Sequence, residues 1–197
     1  MLAAVLPLVI ILAACAGPAG DADGPAPVSA ADFTPGQLRH PAVVLRIVVG
    51  PGEFGAQERS ALPASYEGTL LEALDARAVP PRDTQRVSEL DRLAAAVRAR
   101  EVGADHALLV DVRVEKLETY FCREDRRPFR APVTMWVQTA EVVRASDGVS
   151  RLTLSGPALT VMDLEPDCES PRESRRRSDG ETMREGINRL LKRLLGS

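Results

Sequence analysis

Three kinds of residue in this chain carry chemistry specific enough to matter: thiols, clustered guanidiniums and alternating carboxylates. The thiols are Cys15, Cys122 and Cys168. The guanidiniums fall in two short stretches, Arg123, Arg126, Arg127 and Arg130 in CREDRRPFR, and Arg172, Arg175, Arg176 and Arg177 in PRESRRR. An arginine fork grips carboxylate or phosphate in two-point fashion, so Arg123, Arg126, Arg127, Arg130, Arg175, Arg176 and Arg177 are the candidate partner-binding residues. Asp163, Glu165, Asp167 and Glu169 alternate as in a calcium loop. The sixth position of that loop is Cys168 rather than glycine, and the twelfth is Ser174 rather than an acid, so the stretch reads as a solvated acidic loop. His40 and His106 have no ligand spacing to either downstream cysteine, and no metal site is expected. No nucleophile elbow, zinc-protease helix or phosphate loop is present. The expectation is a protein that is not an enzyme and needs no cofactor.

Cys15 closes an apolar run. Residues 2–14 contain no polar side chain. As a helix they cover about 20 Å against about 30 Å of hydrocarbon, too short to span and suited to the hydrophobic part of an export signal. Leu12-Ala13-Ala14-Cys15 resembles the lipobox of bacterial lipoproteins. The resemblance implies cleavage after Ala14, diacylation of the Cys15 sulfur and stable anchoring through lipid. Alanine rather than aspartate follows the cysteine, which in that class favours the outer membrane, periplasmic face. No Lys or Arg precedes the apolar run, which departs from the usual export signal. Residues 16–36 are Ala, Gly, Pro, Asp and Ser with almost no large apolar side chain, the composition of a tether. The expected organisation is a signal peptide over 1–14, a lipidated cysteine and tether over 15–37, and one periplasmic domain over 38–197.

With Cys15 taken by lipid, Cys122 and Cys168 remain in an oxidising compartment. Two outcomes are open, a disulfide or two free thiols, and the disulfide is expected. It would close a loop of about 45 residues, worth around 4 kcal/mol in the chain-entropy treatment. It would also lay the two arginine stretches side by side as one basic patch, able to dock an acidic partner or lipid phosphates. The bland alternative is solvated loop charge, partly neutralised by Glu124, Asp125 and Glu173.

The elements that must position these residues follow from periodicity. The chain has 197 residues, 45% apolar and only 4% aromatic, so the core must be mostly Val, Leu and Ala. A net charge of -3 is too small to point to nucleic acid. Residues 42–49 are apolar on both parities and read as a strand covered on both faces. Residues 65–79 read as a helix with Ser65 as cap and Leu70, Leu71 and Leu74 on one face, followed by a short extended piece over 84–87. A second helix starts at Ser88, with Asp91 completing a capping box, Leu90, Leu93, Ala94 and Val97 as its stripe, and Gly103 beyond its end. Residues 106–121 form a long strand with Val110, Val112 and Val114 on one face and a bulge or a bend expected near Lys116. Strands over 133–143 and 149–162 follow, joined by an ASDG turn, the last interrupted at Gly156-Pro157. Trp136 is expected to pack under a helix and His106 to be structural. An amphipathic helix over 181–195 closes the chain. The fold class is α/β (α+β), a single mixed sheet packed by helices in the order β-α-(β)-α-β-β-β-α.

Gly103, Ala104 and Asp105 before the long strand, with Asp147-Gly148 in the later turn, resemble a group of envelope domains. The group includes the TolB amino-terminal domain, the curli-secretion lipoproteins and the penicillin-binding-protein activator lipoproteins. That resemblance implies work by binding other proteins. The expected function is therefore a non-enzymatic, lipid-anchored lipoprotein that binds a protein of an envelope assembly or transport machine. The rival is a lipid or small-ligand carrier, such as the auxiliary lipoprotein of a lipid-transport ATPase.

Overall fold

A computed structural model of the chain describes residues 28–50, 54–121, 129–164 and 176–196. Its strands are β1 (Val28–Ser29), β2 (Ala42–Val49), β3 (Asp83–Arg86), β4 (His106–Phe121), β5 (Phe129–Arg144), β6 (Ser150–Leu154) and β7 (Thr160–Met162). Its helices are α1 (Ala56–Asp75), α2 (Arg92–Glu101) and α3 (Asp179–Leu195). All seven strands belong to one mixed sheet in the order β1-β6-β5-β4-β2-β3, with β7 pairing β5 beyond β6. β2 is parallel to both β3 and β4, while β4, β5, β6, β7 and β1 pair antiparallel. The expected fold class and element order hold.

The main core lies between one sheet face and helices α1 and α3. Leu45, Val110, Val112, Trp136 and Val142 from the sheet meet Tyr66, Leu70, Leu74, Ile187, Leu190 and Leu191. A smaller core of Ala42, Val44, Ala107, Leu109 and Val143 lies under α2 on the opposite face. β2 is thus buried on both parities only from Ala42 to Leu45, because the ten-residue α2 covers one end of the sheet and no more.

Four expectations about the elements need correction. α1 begins at Ala56, not near Ser65, and carries Pro63 inside it. Gly55 N–H donates to Glu58 Oε2 at 2.7 Å, which satisfies the helix start, and the buried Tyr66, Leu70 and Leu74 outweigh the one hydrogen bond that Pro63 forfeits. The helix ends at Asp75, short of the expected 79, because Ala78 turns left-handed and Pro80 follows. α2 is capped by Asp91, whose carboxylate accepts from Leu93 N and Ala94 N at 2.7 and 3.0 Å, and not by Ser88. Its buried face is Ala95, Ala96 and Ala99, while Leu93 is 67% and Val97 43% exposed. Small side chains let this helix lie close on the sheet. Finally, the β4–β5 register runs without a shift from His106↔Arg144 to Phe121↔Phe129, so β4 has no bulge at Lys116. Lys116 keeps the core-side parity by placing its ammonium 4.6 Å from the Phe54 ring centroid and 3.1 Å from Glu58 Oε1. The register irregularity lies instead between Val142 and Val143, opposite β6.

Trp136 is buried as expected, stacked on Tyr66 at 5.9 Å between centroids. The ASDG turn closes with Gly148 at φ 69°, a left-handed position that suits glycine. Gly103, Ala104 and Asp105 carry the chain from the end of α2 into β4. α3 is capped by Ser178 and Glu181 in a reciprocal box.

The boundary between tether and domain moves. Residues 28–37 belong to the fold: β1 pairs with β6, Ala30 N donates to Arg151 O at 2.8 Å, and a short 3-10 turn spans Pro35–Gln37. Phe33 is only 5% exposed and is the reason. A single aromatic ring in a tract of small residues supplies about 2 kcal/mol of burial, enough to seat the segment.

Candidate partner-binding surfaces

β4 and β5 are each 16 residues long, and their paired backbones extend beyond the body of the sheet. β2 leaves β4 at Val114, where Gly50 N donates to Val114 O at 2.8 Å. On the other side β7 pairs only Met135, Trp136 and Val137. The remaining pairs, Leu117↔Val133 to Phe121↔Phe129, make a two-stranded arm. Arg123, Arg126, Arg127 and Arg175 lie outside the described residues, as do Cys15, Cys122 and Cys168.

The described arginines of the two stretches have internal partners. Arg130 faces Glu118 across the arm at 3.7 Å. Arg176 Nη1 lies 2.5 Å from Asp163 Oδ2, and its Nη2 donates to Pro132 O at 2.7 Å. Arg177 pairs with Glu185 of α3 and donates to Met162 O at 2.7 Å. Asp163 is buried, accepts from Thr134 N at 3.0 Å through Oδ1, and returns a bond from its own N–H to Thr134 O at 3.0 Å. Asp163 and Arg176 therefore clamp both ends of the 165–175 stretch to β5 at Thr134 and Pro132. Arg176 and Arg177 act as fasteners of this clamp and of α3. Sequence reasoning could not foresee this, because a run of arginines looks alike whether it is solvated or pinned.

At the other end of the sheet the lead-in segment builds a cleft that sequence reasoning missed. Asp32, Phe33, Gly36, Gln37 and Arg39 from the lead-in face Asp105 and His106 at the start of β4, Arg144 at the end of β5 and Arg151 of β6. Its volume is about 490 Å³, within the usual range of ligand sites. Phe33 meets His106 edge to face at 5.5 Å between centroids. Both oxygens of Asp32 accept from Arg151 Nη1 at 3.0 Å, and Arg144 Nη1 lies 3.7 Å from Asp32 Oδ2. Asp147 sits behind them, accepting from Arg144 Nε at 3.1 Å and from Arg151 Nη2 at 3.2 Å. Its carboxyl is held far below the usual carboxylate range, chiefly by the hydrogen bond from Arg144. The Arg151 Nε is buried without a hydrogen-bond partner among the described residues. His106 is pulled below its ordinary value, mainly by burial, with Arg144 and Arg151 adding to the shift and Asp105 opposing it. Phe33 is the one letter that could have flagged this cleft.

Among the described residues no helix is long and apolar enough to cross a membrane, and no cluster of ligating side chains could hold a metal. No protein family and no curated protein matches this chain. It is similar in structure to the PelC dodecamer of Paraburkholderia phytofirmans, with 17% identity, a TM-score of 0.42, and 86% of this chain and 94% of that one covered. It is also similar to a neuraminyllactose-binding hemagglutinin homolog of Helicobacter pylori, with 11% identity, a TM-score of 0.41, and 80% and 87% covered. A third is lipoprotein GNA1162 of Neisseria meningitidis, with 13% identity, a TM-score of 0.31, and 80% and 100% covered. At these identities and scores the likenesses transfer neither function nor partner to this chain.

Proposed function

We propose that this chain is a non-enzymatic lipoprotein, anchored through Cys15 at the periplasmic face of the outer membrane, that holds a protein of an envelope assembly or transport machine. The observation that carries it is the order of features along the chain: an apolar run, Leu12-Ala13-Ala14-Cys15, a small-residue tether, and a fold that begins at Val28. About 13 residues separate Cys15 from Val28, a contour of about 45 Å at most. The domain works within that distance of the lipid surface. From the β6 level at Glu141 to Phe129 β5 runs about 12 residues, or roughly 40 Å.

The clamp of Asp163 on Thr134 and of Arg176 on Pro132 supports pairing of Cys122 with Cys168. It brings Arg176 to Pro132, about three residues or roughly 10 Å from Phe129, and Asp163 to Thr134, about five residues or roughly 17 Å from it, and Phe129 pairs with Phe121 next to Cys122. The carrier alternative needs an apolar cavity between helices and sheet. That space is filled by Trp136, Tyr66, Leu70, Leu74, Ile187 and Leu190, and the cavities the described residues line lie at the surface, with charged side chains such as Arg151 and Asp111 among their walls.

Cys15→Ser is expected to move the protein from the membrane to the soluble periplasmic fraction; retention on the membrane would refute the anchor. In-cell cross-linking of the anchored protein, followed by mass spectrometry, is expected to recover one dominant envelope protein. Copurified lipid with no protein would favour the carrier instead. Thiol labelling of the denatured, unreduced mature protein is expected to find neither Cys122 nor Cys168 free.

A further inference from the structure

The cleft at the start of β4 already holds one carboxylate, Asp32, whose side chain sits at the rim of a segment otherwise seated in the fold. Asp32 is received by Arg151 through both oxygens and approached by Arg144, yet its side chain is 59% exposed while that of Arg151 is 12% exposed. The receptor is thus built into the sheet and the occupant sits on its rim. With its carboxylate this exposed to water, the pair is screened and the Asp32 side chain can give way to another carboxylate. Arg39 stands at the junction of this cleft with two neighbouring cavities of about 120 and 350 Å³. Arg39 has no ion pair and no side-chain hydrogen bond among the described residues. Gly36 beside it leaves open space where a side chain would otherwise stand. The cleft therefore offers a guanidinium already matched to a carboxylate, a second beside it, and a third, unspent one at the mouth.

We propose that this cleft is the docking site for an acidic peptide segment of the partner protein, one carboxylate taking the place of Asp32 on Arg151 and Arg144 and a second engaging Arg39. The proposal names the partner chemistry for the protein-binding function above and rests on that reading. Asp32 is then an internal competitor. The whole chain carries a net charge of -3, which repels acidic peptides in general, so attraction must be local to the cleft.

The test uses the full chain purified in detergent, with fluorescently labelled hexaglutamate as probe, hexaglutamine as its uncharged counterpart, and anisotropy at low ionic strength as readout. Hexaglutamate is expected to bind at least about tenfold more tightly than hexaglutamine, and Arg39→Ala to weaken it about tenfold. Asp32→Asn is expected to tighten binding several-fold by removing the competitor. Arg184→Ala on α3 should leave binding unchanged. Thermal melting confirms that each variant is folded. A purely structural Asp32 would lose stability without any gain in affinity, so a folded Asp32→Asn that binds no more tightly overturns the proposal. Equal binding of the two peptides overturns it as well. Displacement of the probe by equimolar inorganic phosphate would make the cleft a small-anion site and overturn the peptide assignment. None of these failures touches the anchor or the cross-linking result, which test the proposed function separately.

Discussion

Single residues decide how closely the layers of this protein approach one another. Gly186 lies where α3 crosses β5, and a Cβ there would stand 2.4 Å from Gln138 Nε2 and 2.9 Å from Val161 Cγ2. Gln138 cannot retreat, because its Oε1 accepts the Tyr66 hydroxyl at 2.5 Å inside the core. Gly186→Ala is therefore expected to destabilise the fold by about 1–3 kcal/mol, read from chemical denaturation. His106 makes the second prediction at this scale. Its folded value is lowered, so the unfolded chain binds more protons near and below pH 6.5. Stability is then complete above about pH 6.5 and is lost as the pH falls through that value toward the lowered one. Denaturation midpoints measured between pH 7.5 and 5 should show this loss, and His106→Asn should remove the part of the slope that His106 supplies. Of these residues only His106 was singled out by the sequence, from its place at the start of an apolar strand. The need for glycine at 186 depends on a partner 48 positions away, which no local pattern encodes.

At the level of elements, α2 shows where pattern and packing part company. Its largest apolar side chains, Leu93 and Val97, face outward, and its alanines face the sheet. A stripe rule ranks residues by hydrophobicity, whereas a helix lying over Ala42, Val44 and Ala107 is limited by space. Ala96→Leu is expected to cost about 1–3 kcal/mol by overpacking, while Leu93→Ser should stay within about 0.5 kcal/mol. Thermal melts of the two variants check the pair; a costly Leu93→Ser beside a neutral Ala96→Leu would invert the face assignment. β2, β6, β7 and α3 were legible because their signals are local: β-branched runs, a Gly-Pro interruption, and an apolar stripe at helical spacing. The start of α1 was not, because Pro63 and Ser65 mimic a helix boundary while Gly55 and Glu58 supply the real one.

For the whole molecule, the lead-in of residues 28–39 is seated against the sheet through Phe33 and the pairing of β1 with β6. Removing residues 1–27 should leave the melting temperature of the domain unchanged, whereas Phe33→Ala should cost about 3–5 kcal/mol. Equal stability of the two variants would mean that the domain begins after the lead-in. The seated segment forms one wall of the carboxylate cleft, and β4 carries the chain from that cleft to the arginine-bearing arm. The two candidate surfaces thus stand at opposite ends of one 16-residue strand. The sequence by itself determined the class of fold and most of its elements in order, because hydrophobic period and turn residues are local facts. Only the tertiary structure decided which partners the described arginines have. Arg176 and Arg177 are taken by Asp163, Pro132, Met162 and Glu185, and Arg151 and Arg144 by Asp32 and Asp147, while Arg39 is left at the mouth of a cleft. The reason is physical: a charge acquires its role from the partner the fold places within a few ångströms, and those partners lie as far as 119 positions away along the chain.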